Sequence, residues 1–318
     1  MPKILANDGI DTAGKQLLEQ AGFTVDTNKI AQEELAQNLN SYDCLTVRSA
    51  TKVRQPLVDV IPNVKLIVRG GVGMDNIDVS YAESKGIAVR NTPLSSTLSV
   101  AELVFAHLFS LVRFLYDSNR KMPVDGLTQF KELKEKYSKG TELRGKTLGI
   151  LGFGNIGQEV ARIGLGLGMN ILAHSRTNKT VDIVLTFPGN QLVKIPVTTV
   201  SKEEVISKSD FITIHTPGSA QVLFKDDFEK MKANAGIINI ARGGVIKEKD
   251  LLEYLNNNKV AYAGIDVFEE EPTKNSELLT HPKVSLSPHI GASTAEGQKR
   301  VGAEVAQIII DFFKKHNH

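Results

Sequence analysis

A short glycine pattern constrains the fold of this chain more than any other feature: Gly152, Gly154 and Gly157 stand at G-x-G-x-x-G spacing. A strand-like apolar run, 147–151, precedes the pattern, and 156–167 has helical apolar spacing. Since 26 glycines occur in 318 residues, an ordinary glycine-rich turn is the alternative. The strand before and the helix after favour instead a turn that lets the pyrophosphate of a dinucleotide approach the backbone and the helix N-terminus.

Strand-like and helix-like segments alternate along the chain in two series, one in residues 1–95 and one that starts at Thr147. Such alternation predicts parallel sheets with helices on both faces, so the expected fold class is α/β with two doubly wound parallel-sheet domains. The predicted strands are 3–6, 23–26, 44–47, 66–69 and 88–90, then 147–151, 170–173, 211–215, 236–240, 261–267 and 284–287; the predicted helices include 12–20 and 32–39.

Two helices link the series. Ser99 to Glu102 reads as a capping box and predicts the start of a helix that leads into the second series. The last predicted helix, 294–315, is expected to pack back on the first unit. The expected domains are therefore 1–98 with 294–318, and 99–293. Residues 181–197 do not fit the alternation and predict a hairpin on the surface of the second domain.

The composition excludes several classes of protein. With 38 basic and 36 acidic residues the net charge is +2, which provides no field for attracting nucleic acid or a membrane. The single cysteine, Cys44, lies in an apolar run, so we expect a core residue and no disulfide or metal site. The N-terminus turns polar too early for a signal peptide, and a cytoplasmic enzyme is expected.

Three predicted strands of the second series end at reactive side chains. Arg242 enters a glycine turn, Asp266 lies within a buried-looking strand, and His289 follows the last strand. Ligands of open α/β sheets bind beyond the carboxyl ends of strands. A guanidinium can fork onto a carboxylate, and a buried carboxylate needs a partner. Taken singly, a surface arginine, a solvated acidic run at 269–271 and a structural histidine are the alternatives.

Together these motifs resemble the D-isomer-specific 2-hydroxyacid dehydrogenase family over essentially the whole chain. The motifs are the glycine turn, Ala-Arg-Gly-Gly at 241–244, Asp-Val-Phe-Glu-Glu-Glu-Pro at 266–272 and Pro-His-Ile-Gly-Ala-Ser-Thr at 288–294. The resemblance implies catalytic roles for Arg242, Glu271 and His289. The histidine would be the general base for the C2 hydroxyl, the glutamate its partner, and the arginine the ligand of the substrate carboxylate and carbonyl oxygen. It also implies a flavodoxin-like substrate domain and a Rossmann NAD(P)-binding domain.

The first domain indicates a branch of that family. Val-Arg-Ser-Ala-Thr-Lys-Val at 47–53 and Arg-Gly-Gly-Val-Gly-Met-Asp-Asn at 69–76 resemble the members that oxidise D-3-phosphoglycerate to 3-phosphohydroxypyruvate for serine biosynthesis. The alternative is a match to the wider family only. A phosphorylated 2-hydroxy acid is the expected substrate, and a short form without a C-terminal regulatory domain is expected. The predicted substrate residues are Arg48, Ser49, Gly71, Val72, Gly73, Arg242, His289, Lys136 and Lys139.

The cofactor specificity departs from the common pattern. NAD enzymes carry an acid about 20 residues beyond the glycines, whereas here Ser175 and Arg176 occupy that place, and no acid follows until Asp182. NAD is expected from the family, and the hypothesis is that NADP is tolerated or preferred. The predicted cofactor residues are Val72, Gly152, Gly154, Asn155, Ile156, Gly157, Ser175, Arg176, Thr216, Pro217, Ile240, Ala241, Arg242, Asp266, His289, Gly291 and Ala292.

Two alternative functions follow from the same resemblance. An NADPH-dependent glyoxylate or hydroxypyruvate reductase is favoured by Ser175 and Arg176, and a redox-sensing corepressor of the same fold is the non-enzymatic alternative. The family also implies a homodimer made through the helix that starts at Ser99 and through the nucleotide domain.

Overall fold

The computed structural model describes residues 2–316, in which the chain divides into two compact units. Unit 1 comprises residues 2–97 and 292–316, and unit 2 comprises residues 98–291. Residues 1, 317 and 318, which the expected range of the first domain includes, lie outside the described residues.

The helices and strands of both units alternate along the chain. The strands are β1 (Lys3–Ala6), β2 (Thr24–Asp26), β3 (Cys44–Val47), β4 (Leu66–Arg69), β5 (Ala88–Asn91), β6 (Thr147–Leu151), β7 (Asn170–His174), β8 (Thr180–Phe187), β9 (Gln191–Thr198), β10 (Phe211–Ile214), β11 (Ala235–Asn239), β12 (Val260–Ile265) and β13 (Val284–Leu286). The helices are α1 (Thr12–Gln20), α2 (Leu35–Asn38), α3 (Gln55–Val58), α4 (Val79–Ser84), α5 (Thr97–Val112), α6 (Leu115–Asp125), α7 (Phe130–Lys136), α8 (Asn155–Gly166), α9 (Lys202–Lys208), α10 (Lys225–Lys230), α11 (Glu248–Asn256), α12 (Ser276–Thr280) and α13 (Ala295–His316).

Unit 1 is built on a parallel sheet with the strand order β2-β1-β3-β4-β5, which is the flavodoxin-like order. Side chains alternate between its faces, so Ile4 and Leu66 pack on one side and Leu5 on the other. On the first side, α13 contributes Ile309 and Phe313 to the core. The first and last parts of the chain therefore share one core.

Unit 2 is built on a parallel sheet with the strand order β13-β12-β11-β10-β6-β7. The order reverses between β6 and β10, and this switch point is where open α/β sheets bind ligands. Strands β8 and β9 pair only with each other, antiparallel, from Thr180 opposite Thr198 to Phe187 opposite Gln191. The predicted hairpin is thus confirmed. It follows β7 in sequence, and β7 is the edge strand of the six-stranded sheet.

The structure corrects two predicted helices. Helix α5 begins at Thr97, not at Ser99, because a turn closed from the Thr97 N–H to the Leu94 carbonyl starts the winding earlier; Ser99 is buried in the first turn. The helix predicted at 32–39 is reduced to α2 and a 3₁₀ turn at Leu39–Ser41. Helices α3 and α4 have four and six residues, too few to show a periodic pattern.

Helix α5 is the most apolar of the helices predicted from sequence. No single helix within residues 2–316 has both the length and the apolar content needed to cross a membrane; α5 and α6 meet that criterion only as a pair, which is bent by 55°. Nine residues of α5 are buried, and His107 is the one ionisable side chain among them.

Candidate active site

The glycine turn of unit 2 has three distinct glycines. Gly152 has φ +102°, and a Cβ there would lie 2.6 Å from the carbonyl carbon of His215. A Cβ on Gly157 would meet the carbonyl oxygen of Gly152, which packs α8 close to β6. Gly154 differs, because its φ is −82° and a Cβ on it would meet nothing within 4 Å. Packing within the protein requires a glycine at positions 152 and 157, whereas Gly154 faces open space.

Three observations fit the pyrophosphate of a dinucleotide at this turn. The α8 N-terminus has no side-chain cap and no acidic residue in its first turn, so its N–H groups and its dipole are available to an anion. Gly154 leaves room for a group that a side chain would displace. The Thr216 hydroxyl, in the loop after the neighbouring strand β10, is buried and has no hydrogen-bond partner within residues 2–316. Asn155, Ile156 and Thr216 would hold the cofactor here.

The segment after β7 carries positive charge at the place where an acid holds the ribose of NAD. Arg176 is exposed and forms no hydrogen bond or ion pair with the rest of the described chain. Lys179 places its Nζ 5.8 Å from the ring centroid of Phe153, which lies inside the glycine turn. Two cations therefore follow β7 before the first acid, Asp182, which lies in β8.

Asn239 shapes the turn that carries Arg242. At the end of β11, the Asn239 side chain accepts a hydrogen bond from the Ala241 N–H at 3.1 Å and donates one to the Arg242 carbonyl at 3.0 Å. The Arg242 guanidinium donates to the carbonyl of Ala241 at 2.6 Å. Asn239 is itself 3% exposed, so this turn is fixed by a buried amide.

Asp266 organises the loop that carries His289. Its side chain is fully buried, and its Oδ1 accepts hydrogen bonds from the Ser287 hydroxyl at 2.6 Å and the Ile290 N–H at 2.9 Å. Its Oδ2 accepts from the Gly291 N–H at 2.9 Å, and its carbonyl from the His289 N–H at 2.8 Å. The carboxylate's predicted need for a partner is thus met by three donors from the loop after β13.

His289 is paired with Glu271. The Nδ1 of His289 lies 2.7 Å from Oε2 of Glu271, and the two side chains are 49% and 39% exposed. Glu271 Oε1 also accepts from the Phe268 N–H at 3.2 Å, which orients the carboxylate. His289 has φ +53°, a conformation that a non-glycine residue adopts only when its surroundings hold it there. Since Nδ1 faces the carboxylate, Nε2 is the nitrogen left to exchange a proton with a ligand.

Two other histidines of unit 2, His107 and His215, differ from the exposed His289. His107 is 4% exposed and lies between the hydroxyls of Ser285 and Ser287, each 2.9 Å from one ring nitrogen. Burial lowers the pKa of His107. Burial also lowers the pKa of His215 to about 3. The serine partners of His107 are 178 and 180 residues away in sequence, so no local sequence signal marks them.

The predicted substrate loop of unit 1 is held by two side chains. Asp8 accepts from the N–H of Arg48 at 2.7 Å and from the N–H and the hydroxyl of Thr51 at 3.0 and 2.7 Å. The Asn76 amide donates to the carbonyls of Arg48 and Thr51 at 2.8 and 2.6 Å. Arg48 is half-buried and lines a pocket of about 300 Å³ at the carboxyl ends of β1, β3 and β4. Ser49 is exposed at the same loop.

The predicted site residues fall in two groups. Those in unit 2 that were assigned to the cofactor or to catalysis follow the carboxyl ends of parallel strands: 152–157 after β6, 175–176 after β7, 216–217 after β10, 240–242 after β11, 266–271 after β12 and 289–291 after β13. Arg48, Ser49, Gly71, Val72, Gly73 and Ala292 belong to unit 1.

The two predicted phosphate lysines are placed differently. Lys136, on α7 of unit 2, donates to the Asp117 carboxylate at 2.7 Å, so a local acid already neutralises its charge. Lys139 is exposed beyond that helix. Arg48 is accordingly the predicted phosphate ligand with the better-defined setting.

Comparison with known proteins identifies the family. Residues 105–291 match the family described as D-isomer specific 2-hydroxyacid dehydrogenase, NAD binding domain. The chain is 39% identical to a hydroxypyruvate reductase of Thermotoga maritima over 96% of this chain and 97% of that protein. It is 38% identical to a D-3-phosphoglycerate dehydrogenase of Bacillus subtilis over 99% of this chain but only 57% of that protein. The chain thus spans just over half the length of this second relative.

Solved structures give the same result. The chain superposes on an acyclic imino acid reductase bound to NADPH and D-Arg with a TM-score of 0.85 at 25% identity, covering 98% of this chain and 97% of that one. A glyoxylate reductase from Paecilomyes thermophila gives 0.83 at 28% identity, covering 99% and 96%. A 3-phosphoglycerate dehydrogenase from Entamoeba histolytica with NAD+ bound gives 0.77 at 26% identity, covering 98% and 95%.

The chain therefore belongs to the D-isomer-specific 2-hydroxyacid dehydrogenase family. It is an NAD(P)-dependent oxidoreductase that acts on a small 2-hydroxy acid, and the predicted family, fold class and cofactor type are confirmed.

Proposed function

We propose that this chain oxidises D-3-phosphoglycerate at C2 to 3-phosphohydroxypyruvate, reversibly. The observation that carries the proposal is the Arg48 loop: a guanidinium at a half-buried position, on a loop fixed by Asp8 and Asn76, lines a pocket at the strand ends of unit 1. A guanidinium is suited to a phosphate, which it can bind through two parallel hydrogen bonds. A reductase acting on a small uncharged side chain has no need of this cation.

His289 and Glu271 carry the proton transfer in this proposal. Nε2 of His289 takes the proton of the C2 hydroxyl during oxidation and returns it during reduction. The Glu271 carboxylate, 2.7 Å from Nδ1, accepts the Nδ1–H and fixes the orientation of the ring. A nicotinamide cofactor, when bound, accepts hydride from C2 and gives it back in the reverse direction.

Arg242 orients the substrate. Its guanidinium is carried by the turn after β11, and Asp266 follows the neighbouring strand β12. There it binds the substrate carboxylate and the C2 oxygen, which holds C2 in one orientation and stabilises negative charge on that oxygen.

A paired assay tests the substrate proposal. We expect kcat/KM for 3-phosphohydroxypyruvate to exceed that for hydroxypyruvate, and Arg48→Ala to remove this preference while it leaves kcat/KM for hydroxypyruvate nearly unchanged. A guanidinium–phosphate contact of about 1.5–3 kcal/mol corresponds to roughly 10- to 150-fold in this ratio. Equal kcat/KM values for the two substrates would contradict the proposal.

A glyoxylate or hydroxypyruvate reductase that uses NADPH is the second candidate. It is supported by Ser175 and Arg176 after β7 and by the full-length match to the Thermotoga maritima hydroxypyruvate reductase. In this alternative, Arg176 and Lys179 bind the 2′-phosphate, and hydroxypyruvate is reduced at least as well as its phosphorylated form.

A homodimer formed through unit 2 accompanies the proposal. Helices α6 and α7 and the turn between them expose Met122, Val124, Leu127 and Phe130, and Leu127 is fully exposed. Several exposed apolar side chains close together in sequence are typical of a subunit interface. Light scattering is expected to give twice the mass of the chain, and Leu127→Asp with Phe130→Asp is expected to give the mass of a monomer.

A further inference from the structure

Two buried hydroxyls and a buried imidazole form a continuous hydrogen-bonded chain that ends on Asp266. From α5, His107 places Nδ1 2.9 Å from Ser285 Oγ and Nε2 2.9 Å from Ser287 Oγ. Ser287 in turn lies 2.6 Å from Asp266 Oδ1. All four side chains are buried or partly buried in unit 2, and nothing in the proposed reaction requires His107 to contact substrate or cofactor.

The donors and acceptors in this series of hydrogen bonds show which ring nitrogen of His107 carries a proton. Asp266 accepts N–H hydrogen bonds at both oxygens, so it acts as an ionised acceptor for Ser287 as well. The single proton of the Ser287 hydroxyl is therefore directed at Asp266, and its oxygen must accept from His107. Nε2 of His107 therefore carries a proton, and in the neutral ring Nδ1 accepts from Ser285. Burial, which lowers the pKa of His107, favours the same neutral form.

The packing around the ring is specific to a side chain of this shape. Gly264 in β12 lies beside His107, and a Cβ on Gly264 would sit 2.9 Å from Cβ of His107 and 3.1 Å from its Cγ. The missing side chain in the strand therefore provides the space that the imidazole fills. The ring is held by sterics and by hydrogen bonds at both nitrogens.

We infer that His107 is a positioning residue for the proposed general base: through Ser287 it holds the Asp266 carboxylate, which in turn fixes the backbone of the His289 loop. Asp266 fixes this backbone directly, because its carboxylate accepts from the N–H groups of Ile290 and Gly291, the two residues that follow His289. These contacts keep His289 at φ +53°, from which its ring reaches Glu271. The inference rests on the proposed role of His289 as the base.

Two substitutions separate the hydrogen-bonding role from packing. His107→Gln keeps one N–H donor for Ser287 and one oxygen acceptor for Ser285, whereas His107→Leu removes both. We expect His107→Leu to lower kcat roughly tenfold with little change in the KM of the 2-hydroxy acid, within the 10²-fold that a small misplacement can cost. His107→Gln is expected to retain most of kcat. An unchanged kcat in His107→Leu, or an equal loss in both variants when both are folded, would overturn the inference.

Ser287→Ala provides a second, smaller variant in case His107→Leu does not fold. It is expected to lower kcat to a similar extent, because His107 acts on Asp266 through the Ser287 hydroxyl. An unchanged kcat in folded Ser287→Ala would contradict the inference.

Nitrogen NMR of histidine-labelled enzyme tests the arrangement without any assay of activity. The His107 signals are expected to show a proton on Nε2. An unprotonated Nε2 would overturn the inference even in an active enzyme. Conversely, a wild-type chain that oxidises or reduces no 2-hydroxy acid, but shows the expected His107 signals, would contradict the proposed function and leave the positioning of the loop intact.

Discussion

Nδ1 of His289 lies 2.7 Å from Oε2 of Glu271, although the two residues come from loops that follow different strands. A carboxylate at this distance accepts the Nδ1–H and so leaves Nε2 as the nitrogen that faces the substrate. Glu271→Gln preserves the shape but removes the charge, and we expect kcat to fall about 10²-fold or more, the usual range for general acid–base catalysis. Steady-state rates in both directions measure this. Glu270→Gln is the matched control, because Glu270 is exposed and, within residues 2–316, pairs with Lys274 alone; an equal loss in both variants would contradict the assigned role.

Alanine substitutions at Gly154 and Gly152 are expected to have different effects, the first on cofactor binding and the second on the stability of the fold. Gly154→Ala should leave the thermal unfolding temperature unchanged, since the new methyl group meets no protein atom within 4 Å, but should weaken cofactor binding by occupying the space for the pyrophosphate. Gly152→Ala should destabilise the fold by more than about 1 kcal/mol, because φ is +102° and the backbone of His215 lies in the way. Calorimetric unfolding and cofactor titration test the pair. Tight cofactor binding by Gly154→Ala would show that the pyrophosphate lies elsewhere.

Arg176 is expected to set the preference between the two cofactors. Arg176→Ala should raise KM for NADPH far more than KM for NADH, because only the former carries the 2′-phosphate that a guanidinium binds. Ser175→Asp should do the reverse and improve NADH, since an acid at this position accepts hydrogen bonds from the ribose hydroxyls. A wild-type chain with a strong NADH preference, unchanged in Arg176→Ala, would remove the basis for the NADPH alternative.

Asn76 is expected to affect the substrate through the Arg48 loop. Asn76→Ala removes the amide that holds the Arg48 and Thr51 carbonyls, so Arg48 becomes less fixed and KM for the phosphorylated substrate should rise up to roughly tenfold, the equivalent of about 1.4 kcal/mol. Asn63→Ala is the control, because its amide donates to the Asn40 carbonyl at 2.8 Å elsewhere in unit 1. A similar change in both would indicate a general loss of stability and not a local effect on the loop.

His215 is expected to make the protein acid-sensitive. Its pKa falls to about 3 on burial from an ordinary value of 6.5, so the unfolded chain binds a proton that the folded chain does not. Its contribution to stability is present above pH 6.5 and is lost as the pH falls from 6.5 towards 3, by about 1.4 kcal/mol per pH unit. Urea unfolding at pH 7 and pH 5 should show this loss, and His215→Gln should reduce it. Identical pH dependence in both would contradict the assignment.

The sequence was sufficient to predict both sheets and the strand ends that carry the candidate site. Apolar runs such as 3–6 and 44–47 begin and end as expected, and the hairpin at 181–197 follows from its turn residues. The loop contacts could not be predicted in the same way. Asp266 accepts hydrogen bonds from the Ser287 hydroxyl and the Gly291 N–H, which are 21 and 25 positions away. Contacts of this kind produce no periodic pattern in the sequence.

The start of α5 shows a different limit. A capping box at Ser99 is a local pattern, but the turn at Leu94 begins the helix two residues earlier, and Ser99 becomes buried. Local propensity was overridden here by the way the chain enters unit 2. The hydrogen-bond partners of His107 could not be predicted from the sequence either, because Ser285 and Ser287 are 178 and 180 residues away.

The shared core of unit 1 imposes an order of events during synthesis. Ile309 and Phe313 of α13 complete the packing begun by Ile4 and Leu66, yet residues 98–291 are made in between. At about 5–20 residues per second, the ribosome needs roughly 10–40 s for that interval. Unit 2 has time to fold while unit 1 still lacks its last helix, and the nascent sheet face of Ile4 and Leu66 is the surface that a chaperone would meet during translation.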